Sequence, residues 1–118
     1  MDAKDYQQQA ARTLIAKPKY DLVEWIENHI DWSQETFGDG KRTIGLCKHI
    51  RKELKEIEEA PCDLMEWIDV VILALDGAWR AGHSPESIAS ALWEKQVIIS
   101  TRQYPKTSED EPSEHIRD

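Results

Sequence analysis

The chain has 118 residues and a formal net charge of −8, with 23 acidic against 15 basic side chains. A single domain is expected at this length, and the acidic balance argues against a nucleic-acid-binding surface, which would be basic. The sequence begins without the pattern of a signal peptide, and its longest apolar run, Val70–Leu75, is far shorter than the ~20 residues that span a bilayer. Cys47 and Cys62 lack metal-site spacing and fit a reducing cytoplasm, so we expect a cytoplasmic protein without a membrane partner.

The first clear helix of the sequence begins near residue 22. Residues 1–17 are polar and Gln-rich and predict only a short or frayed helix. Asp21 is a candidate N-cap. Apolar residues then recur on one helical face as far as Ile30, namely Leu22, Trp25, Ile26 and Ile30. The next segment, Trp32–Arg42, contains Phe37-Gly38-Asp39-Gly40 and is predicted to be a loop.

Two further helices are separated by a short link around Pro61. The first is predicted from Thr43 to Glu59, because apolar residues alternate by three and four at Cys47, Ile50, Leu54 and Ile57. The second has Asp63 as N-cap and continues to about Ala81, before Gly82. Its middle, Val70–Leu75, is apolar on all sides, which predicts that this helix is the most buried element.

A last helix and a polar tail complete the chain. Ser84 and Pro85 are typical of the N-cap and first helical position, and the helix is predicted to end near Arg102, before Pro105. Residues 106–118 are polar and acidic and predict a loose tail. The pattern indicates an all-α fold with one domain over residues 1–105, whose core spans residues 22–105.

Four carboxylates occupy matching positions on the second and third helices. Glu53 and Glu56 are three residues apart, as are Glu66 and Asp69, so each pair lies within about 60° on its helix. A short link favours antiparallel neighbours, which places the pairs opposite each other. Four close carboxylates do not all stay ionised without a cation, and oxygen ligands favour Mg²⁺ or Mn²⁺. Each residue alone is ordinary on a helix surface or in a cap, but the joint pattern favours a metal site.

The carboxylates and their flanking segments resemble a known family. E-x-x-E followed by E-x-x-D on the next helix is similar to the MazG-like all-α nucleotide pyrophosphohydrolases, and above all to their phage and prophage dATP/dGTP diphosphohydrolase branch, the MazZ-like group. The resemblance covers roughly residues 22–105. It is carried by Trp32–Gly38, His49–Leu54, Glu66–Gly77 and the ending Lys95…Arg102-Gln103-Tyr104-Pro105.

The resemblance implies a four-helix MazG-like bundle that forms a homodimer or homotetramer, with active sites close to subunit contacts. It implies hydrolysis of a nucleoside triphosphate, with purine dNTPs (dGTP or dATP) expected, to the monophosphate and pyrophosphate, in the cytoplasm of a bacterial or phage-infected cell. It assigns Mg²⁺, which Mn²⁺ can replace, to four ligands: Glu53, Glu56, Glu66 and Asp69.

Two positions depart from the family pattern. Ile99 stands where the family usually has Asn, three residues before the Arg that matches Arg102. An amide could bond the sugar or base, and Ile cannot, so selectivity or activity is expected to differ. Tyr104 stands where Trp is common, which is a milder change.

Further residues are candidates for catalysis and substrate binding. Glu53 borders the apolar seam of its helix, so desolvation raises its proton affinity and makes it the first choice as general base. The cations Lys95 and Arg102 lie in a core-facing register and are candidates for phosphate contacts, with Lys52 as another. Aromatic residues near helix ends could stack on a purine, namely Trp32, Phe37 and Tyr104.

Several of these residues also have a purely structural interpretation. Lys95 could extend along the apolar surface, and Arg102 could cap its helix. Asp76 and Arg80, at i,i+4 spacing, predict a structural salt bridge. For the whole protein, one alternative to an enzyme is a catalytically silent helical module that binds a nucleotide or a partner. Another is a structural helical protein with solvated acidic pairs.

Overall fold

The structure, a computed structural model, describes residues 20–117 and contains four α-helices in this range. They are α1 (Leu22–Phe37), α2 (Thr43–Glu59), α3 (Leu64–Arg80) and α4 (Pro85–Ser100). No strand occurs in the described part of the chain. The predicted all-α class and the four helices are therefore confirmed. The N-terminal helix predicted within residues 1–17 lies outside the described residues.

Local capping chemistry starts three of the four helices where the sequence predicts. The side chain of Asp21 accepts a hydrogen bond from the Glu24 backbone N–H, and that of Asp63 accepts one from Met65. The Ser84 hydroxyl accepts the backbone N–H of Ser87 at the start of α4. These acceptors satisfy backbone donors that have no partner within the helix.

Helix α1 is longer than its apolar pattern predicts. It ends at Phe37 rather than near Ile30, so the first six residues of the predicted loop are helical. The helix stops at Gly38 (φ 79°), and Gly40 (φ 100°) follows, both in the left-handed region that glycine favours. The added turns keep Ser33 fully buried, so a polar side chain faces the core where the sequence pattern looks loop-like.

Helices α2 and α3 form an antiparallel hairpin, and α1 lies outside it. Leu46, early in α2, lies beside Gly77, late in α3, whereas Glu56 lies beside Glu66. Helix α1 packs on α3 and α4, and the backbones of α1 and α2 do not approach each other. A cleft therefore separates α1 from α2, with α3 as its floor.

The prediction that α3 is the most buried element is wrong for the single chain. Only Asp76 and Arg80 are buried on this helix, while Val71 is 50% exposed and Ile68 is 37% exposed. One side of α3 packs against α2 and α1, and its other apolar side has no covering element among residues 20–117. Helix α4 has no buried residue at all.

The chain after α4 has no helix or strand as far as residue 117. It turns back on itself, because the backbone N–H of Ile116 donates to the Gln103 carbonyl over 2.6 Å. Within the described residues, no helix combines the length and apolar character that crossing a bilayer requires.

Candidate metal centre and the adjoining cleft

The hairpin brings the four predicted carboxylates into one cluster. One ligand oxygen from each of them lies within 4.8 Å of all the others. Glu53 is buried, Asp69 is exposed, and the other two are intermediate, so one side of the cluster faces the protein and the other faces solvent. The four residues of this carboxylate cluster are Glu53, Glu56, Glu66 and Asp69.

Two oxygens of the cluster have no partner. Glu53 Oε2 and Glu66 Oε2 are buried and accept no hydrogen bond from any described residue. The adjacent Glu56 carboxyl raises the pKa of Glu53 most, and burial raises it further. Burial is the largest cause of the raised pKa of Glu66, followed by Glu56. Unpaired buried acceptors and mutual repulsion are both relieved by a cation.

The donor set fits a hard divalent cation. All four groups are carboxylates, and oxygen donors suit Mg²⁺ and Mn²⁺, whereas sulfur or imidazole would favour softer metals. His49 is a neighbour of the cluster: its Nε2 lies 3.1 Å from Glu53 Oε1. This hydrogen bond holds one oxygen of Glu53 and leaves the other facing the cluster.

Two cavities meet beside the cluster. The first has a volume of about 250 Å³ and is lined by His49, Glu53, Asp69, Ile72 and Leu73. The second, about 240 Å³, is the cleft between α1 and α2. The cavities are adjacent, with three lining residues in common: His49, Ile72 and Leu73.

Aromatic side chains and one cation form the far part of the cleft. The rings of Trp32 and Phe37 meet edge to face, with centroids 5.6 Å apart. The Arg42 guanidinium lies 4.6 Å from the centroid of the Phe37 ring, in cation–π contact. All three residues line the cleft. This part of the site offers flat apolar surface and positive charge.

A network of hydrogen bonds centred on Asp76 forms part of the cleft lining. Asp76 Oδ1 accepts hydrogen bonds from His29 Nε2, Ser33 Oγ and Trp79 Nε1 over 2.9, 2.6 and 2.8 Å. Arg80 Nε donates to Oδ2 over 2.8 Å, which confirms the predicted salt bridge. Burial alone would raise the pKa of Asp76, but these donors lower it to about 2.

Arg80 extends this network to the loop between α1 and α2. Its side chain is 1% exposed. Nη1 donates to the carbonyls of Gly38 and Gly40 over 2.9 and 3.0 Å, and Nη2 donates to Ser33 Oγ over 2.9 Å. The guanidinium thus fixes the end of α1 and the approach to α2, the two walls of the cleft, to α3.

The other predicted site residues divide into two groups. Trp32 lines the cleft, as a stacking role requires. Four residues line neither of these two cavities within the single chain: Lys52, Lys95, Arg102 and Tyr104. Lys52 and Lys95 are exposed on α2 and α4, and the Tyr104 ring lies 6.3 Å from that of His115. Their substrate roles stay predictions.

Sequence reasoning gave Arg42 and Gly45 no role in the site, and it gave His49, which flanks Glu53, an indirect or surface role rather than a metal-binding one. Arg42 and Gly45 line the cleft, and His49 lines both cavities. A signal for them exists, because Arg42, His49 and Glu53 recur at i, i+7 and i+11 on one face of α2. Following the helical face of Glu53 toward the N-terminus of α2 would have identified them.

Comparison with known proteins identifies the family of the chain. A sequence model of the dATP/dGTP pyrophosphohydrolase family matches residues 25–118. The Eaa protein of Salmonella phage P22 is 41% identical over 109 residues, which is 89% of this chain and 33% of that protein. The chain therefore spans about one third of the length of this relative. No solved structure matches. With four helices and an acidic cluster between two of them, the chain belongs to the dATP/dGTP pyrophosphohydrolase family, hydrolases that act on nucleoside triphosphates.

Proposed function

We propose that the protein hydrolyses purine deoxynucleoside triphosphates, dGTP or dATP, to the monophosphate and pyrophosphate, with Mg²⁺ or Mn²⁺. The observation that carries this proposal is the carboxylate cluster: two of its buried oxygens lack partners, and it lines a cavity that shares three residues with the aromatic cleft. The family match and the phage relative support it. The cytoplasm of a bacterial or phage-infected cell is the proposed location.

Each of the two cavities would bind a different part of the substrate. The cavity at the carboxylates takes the phosphates, and the cleft takes the sugar and base. A volume of about 240 Å³ lies below the ~300–1,000 Å³ of pockets that enclose whole drug-sized ligands. The cleft therefore suits part of a nucleotide. Trp32 supplies the ring face on which a base would stack, and the Phe37 ring stands perpendicular to it.

Glu53 is the proposed general base. The four carboxylates would hold Mg²⁺, which neutralises phosphate charge and lowers the pKa of a bound water. Glu53 is buried, and His49 holds its Oε1. This contact restricts the side chain, and Oε2 would take a proton from the attacking water when it is not bound to the metal. His49 positions Glu53 from the junction of the two cavities.

A homodimer or homotetramer is proposed as the working form. On α3, large apolar residues at helical spacing are exposed on one side, namely Leu64, Trp67, Ile68 and Val71. Helix α4 exposes a second set, Leu92, Trp93, Val97, Ile98 and Ile99. Exposed apolar surface of this kind marks interaction sites. Within such an assembly, Lys95 of α4 and two residues that follow the helix, Arg102 and Tyr104, would reach a substrate across a subunit contact.

The test is product release from purified full-length chain with a panel of dNTPs and NTPs. We expect monophosphate and pyrophosphate from dGTP or dATP with Mg²⁺ or Mn²⁺, and none with EDTA. Light scattering on the same sample measures the oligomeric state. Folded protein that binds nucleotide but turns over no member of the panel would contradict the proposal. It would support the silent binding module, with Ile99→Asn as the first reversion.

A further inference from the structure

One wall of the cleft contains a glycine near the start of a helix. Gly45 is in the first turn of α2 and lines the cleft between Arg42 and His49. Glycine in a helix is less favourable than alanine, because it loses more conformational freedom on folding and has no side chain to pack. A helical glycine therefore needs a local reason.

Neither backbone conformation nor packing supplies that reason. The glycines with positive φ are Gly38, Gly40 and Gly82, and Gly45 is not among them. A Cβ built on Gly45 would meet no atom within 4 Å. The other helical glycine differs: a Cβ on Gly77 would lie 3.7 Å from Leu46 Cδ1, at the contact between α2 and α3. Gly77 thus faces a neighbouring helix, and Gly45 faces open cleft.

We infer that Gly45 keeps the α2 wall of the cleft bare so that the two-ring base of a purine nucleotide lies against the helix backbone. This inference rests on the proposed function and assigns the base-selecting residue of that same site. The opposite wall is aromatic, with Trp32 and Phe37 on α1. A flat base between a backbone surface and aromatic rings makes close contacts on both faces, which a side chain at residue 45 would prevent.

The position of Gly45 along α2 suits a nucleotide whose phosphates lie at the carboxylate cluster. Gly45 precedes Glu53 by eight residues, which is about 12 Å along the helix at 1.5 Å per residue. His49 lies halfway and lines both cavities. A nucleoside extended from the cluster past His49 therefore brings its base to Gly45. A one-ring pyrimidine fills less of this space and loses contacts that a purine makes.

The experiment measures binding of the reaction products to the full-length chain with Mg²⁺ by calorimetry. The ligands are dGMP, dAMP, dCMP and pyrophosphate, and the variants are Gly45→Ala, Gly45→Leu and the matched control Gly77→Ala. We expect Gly45→Ala to weaken dGMP and dAMP binding about tenfold, and Gly45→Leu to weaken it further. Pyrophosphate and dCMP affinities should change by less than about twofold. Gly77→Ala should change no affinity, and a higher Tm for Gly45→Ala would show that the fold is intact.

Two results would overturn the inference while leaving the proposed function standing. One is purine binding by Gly45→Leu that stays within about twofold of the wild type. The other is an equal loss of pyrophosphate affinity, because that would place the damage at the carboxylate cluster. Wild-type protein that binds none of the four ligands and releases no pyrophosphate would contradict the proposed function itself, and the inference with it.

Discussion

Two acidic sites of this protein, both with residues on α3, differ in how their charge is balanced. Asp76 is buried but accepts four hydrogen bonds, two of them from His29 and Arg80, and its pKa is lowered to about 2. In the carboxylate cluster, buried oxygens of Glu53 and Glu66 have no donor, and the pKa of each is raised. A buried carboxylate with its donors in place stabilises the fold, whereas one without them needs a cation from outside.

The largest expected effect is loss of activity when the cluster is changed. Glu53→Gln keeps size and shape but removes the proposed general base, so kcat should fall by about 10²–10⁴-fold. The metal-free variant should be no less stable than the wild type, because one repelling charge is gone. The matched control is Glu58→Gln, which removes an equal charge from an exposed position on α2. Equal activity in both variants would remove Glu53 from the mechanism.

The second prediction concerns a substitution that disrupts the Asp76 network. Arg80→Met removes the donor to Asp76 Oδ2 and the donors to two loop carbonyls. It leaves a buried charge with fewer partners, so the free energy of unfolding should fall by about 3–5 kcal/mol. Urea denaturation measures this, with Arg51→Met, an exposed change on α2, as control. A loss no larger than that of the control would show that the Asp76 network contributes little to stability.

The third prediction concerns Mg²⁺ and separates the two sites directly. At a concentration about 100 times its Kd, Mg²⁺ should stabilise the fold by about 2.7 kcal/mol through mass action. Because the pKa values of Glu53 and Glu66 are raised, the metal-free protein binds extra protons at low pH and loses stability as pH rises through those values. The gain in Tm from Mg²⁺ should therefore be larger at pH 7.5 than at pH 5, and Asp69→Asn should lose most of it. A gain in Tm independent of pH would argue against the cluster as the binding site.

The smallest expected effect is the acid sensitivity of the Asp76 network. Its folded pKa of about 2 lies below the ordinary value of 3.8. The stabilisation is therefore complete above about pH 4 and is lost as pH falls toward 2. After allowance for solvent screening, this amounts to about 1–2 kcal/mol. Comparing wild type with Asp76→Asn across this range isolates it: the difference in unfolding free energy should shrink as pH falls, and a constant difference would contradict the assignment.

Local chemistry in the sequence was enough for the helix starts and the cluster. Asp21, Asp63 and Ser84 each cap through their own side chain, which depends on a few neighbouring residues. The carboxylates come together because a three-residue spacing and a short link determine which faces of α2 and α3 meet.

Features that depend on distant parts of the chain were predicted wrongly or missed. The end of α1 depends on Ser33, which is buried by contact with residues more than 40 positions away. The exposure of Val71 depends on which element covers that side of α3. The place of Gly45 in the cleft wall becomes visible only in the folded chain, because a glycine in a helix otherwise indicates a weak helix and nothing more.

The contacts of Arg80 have a consequence for evolution of the enzyme. One guanidinium joins the end of α1, the loop that leads to α2, and the body of α3. The spacing between the cleft walls is therefore determined before any ligand arrives, and binding spends little free energy on ordering them. Folding stability and the spacing of the cleft walls depend on the same side chain, so a mutation selected for one property at this position would change the other.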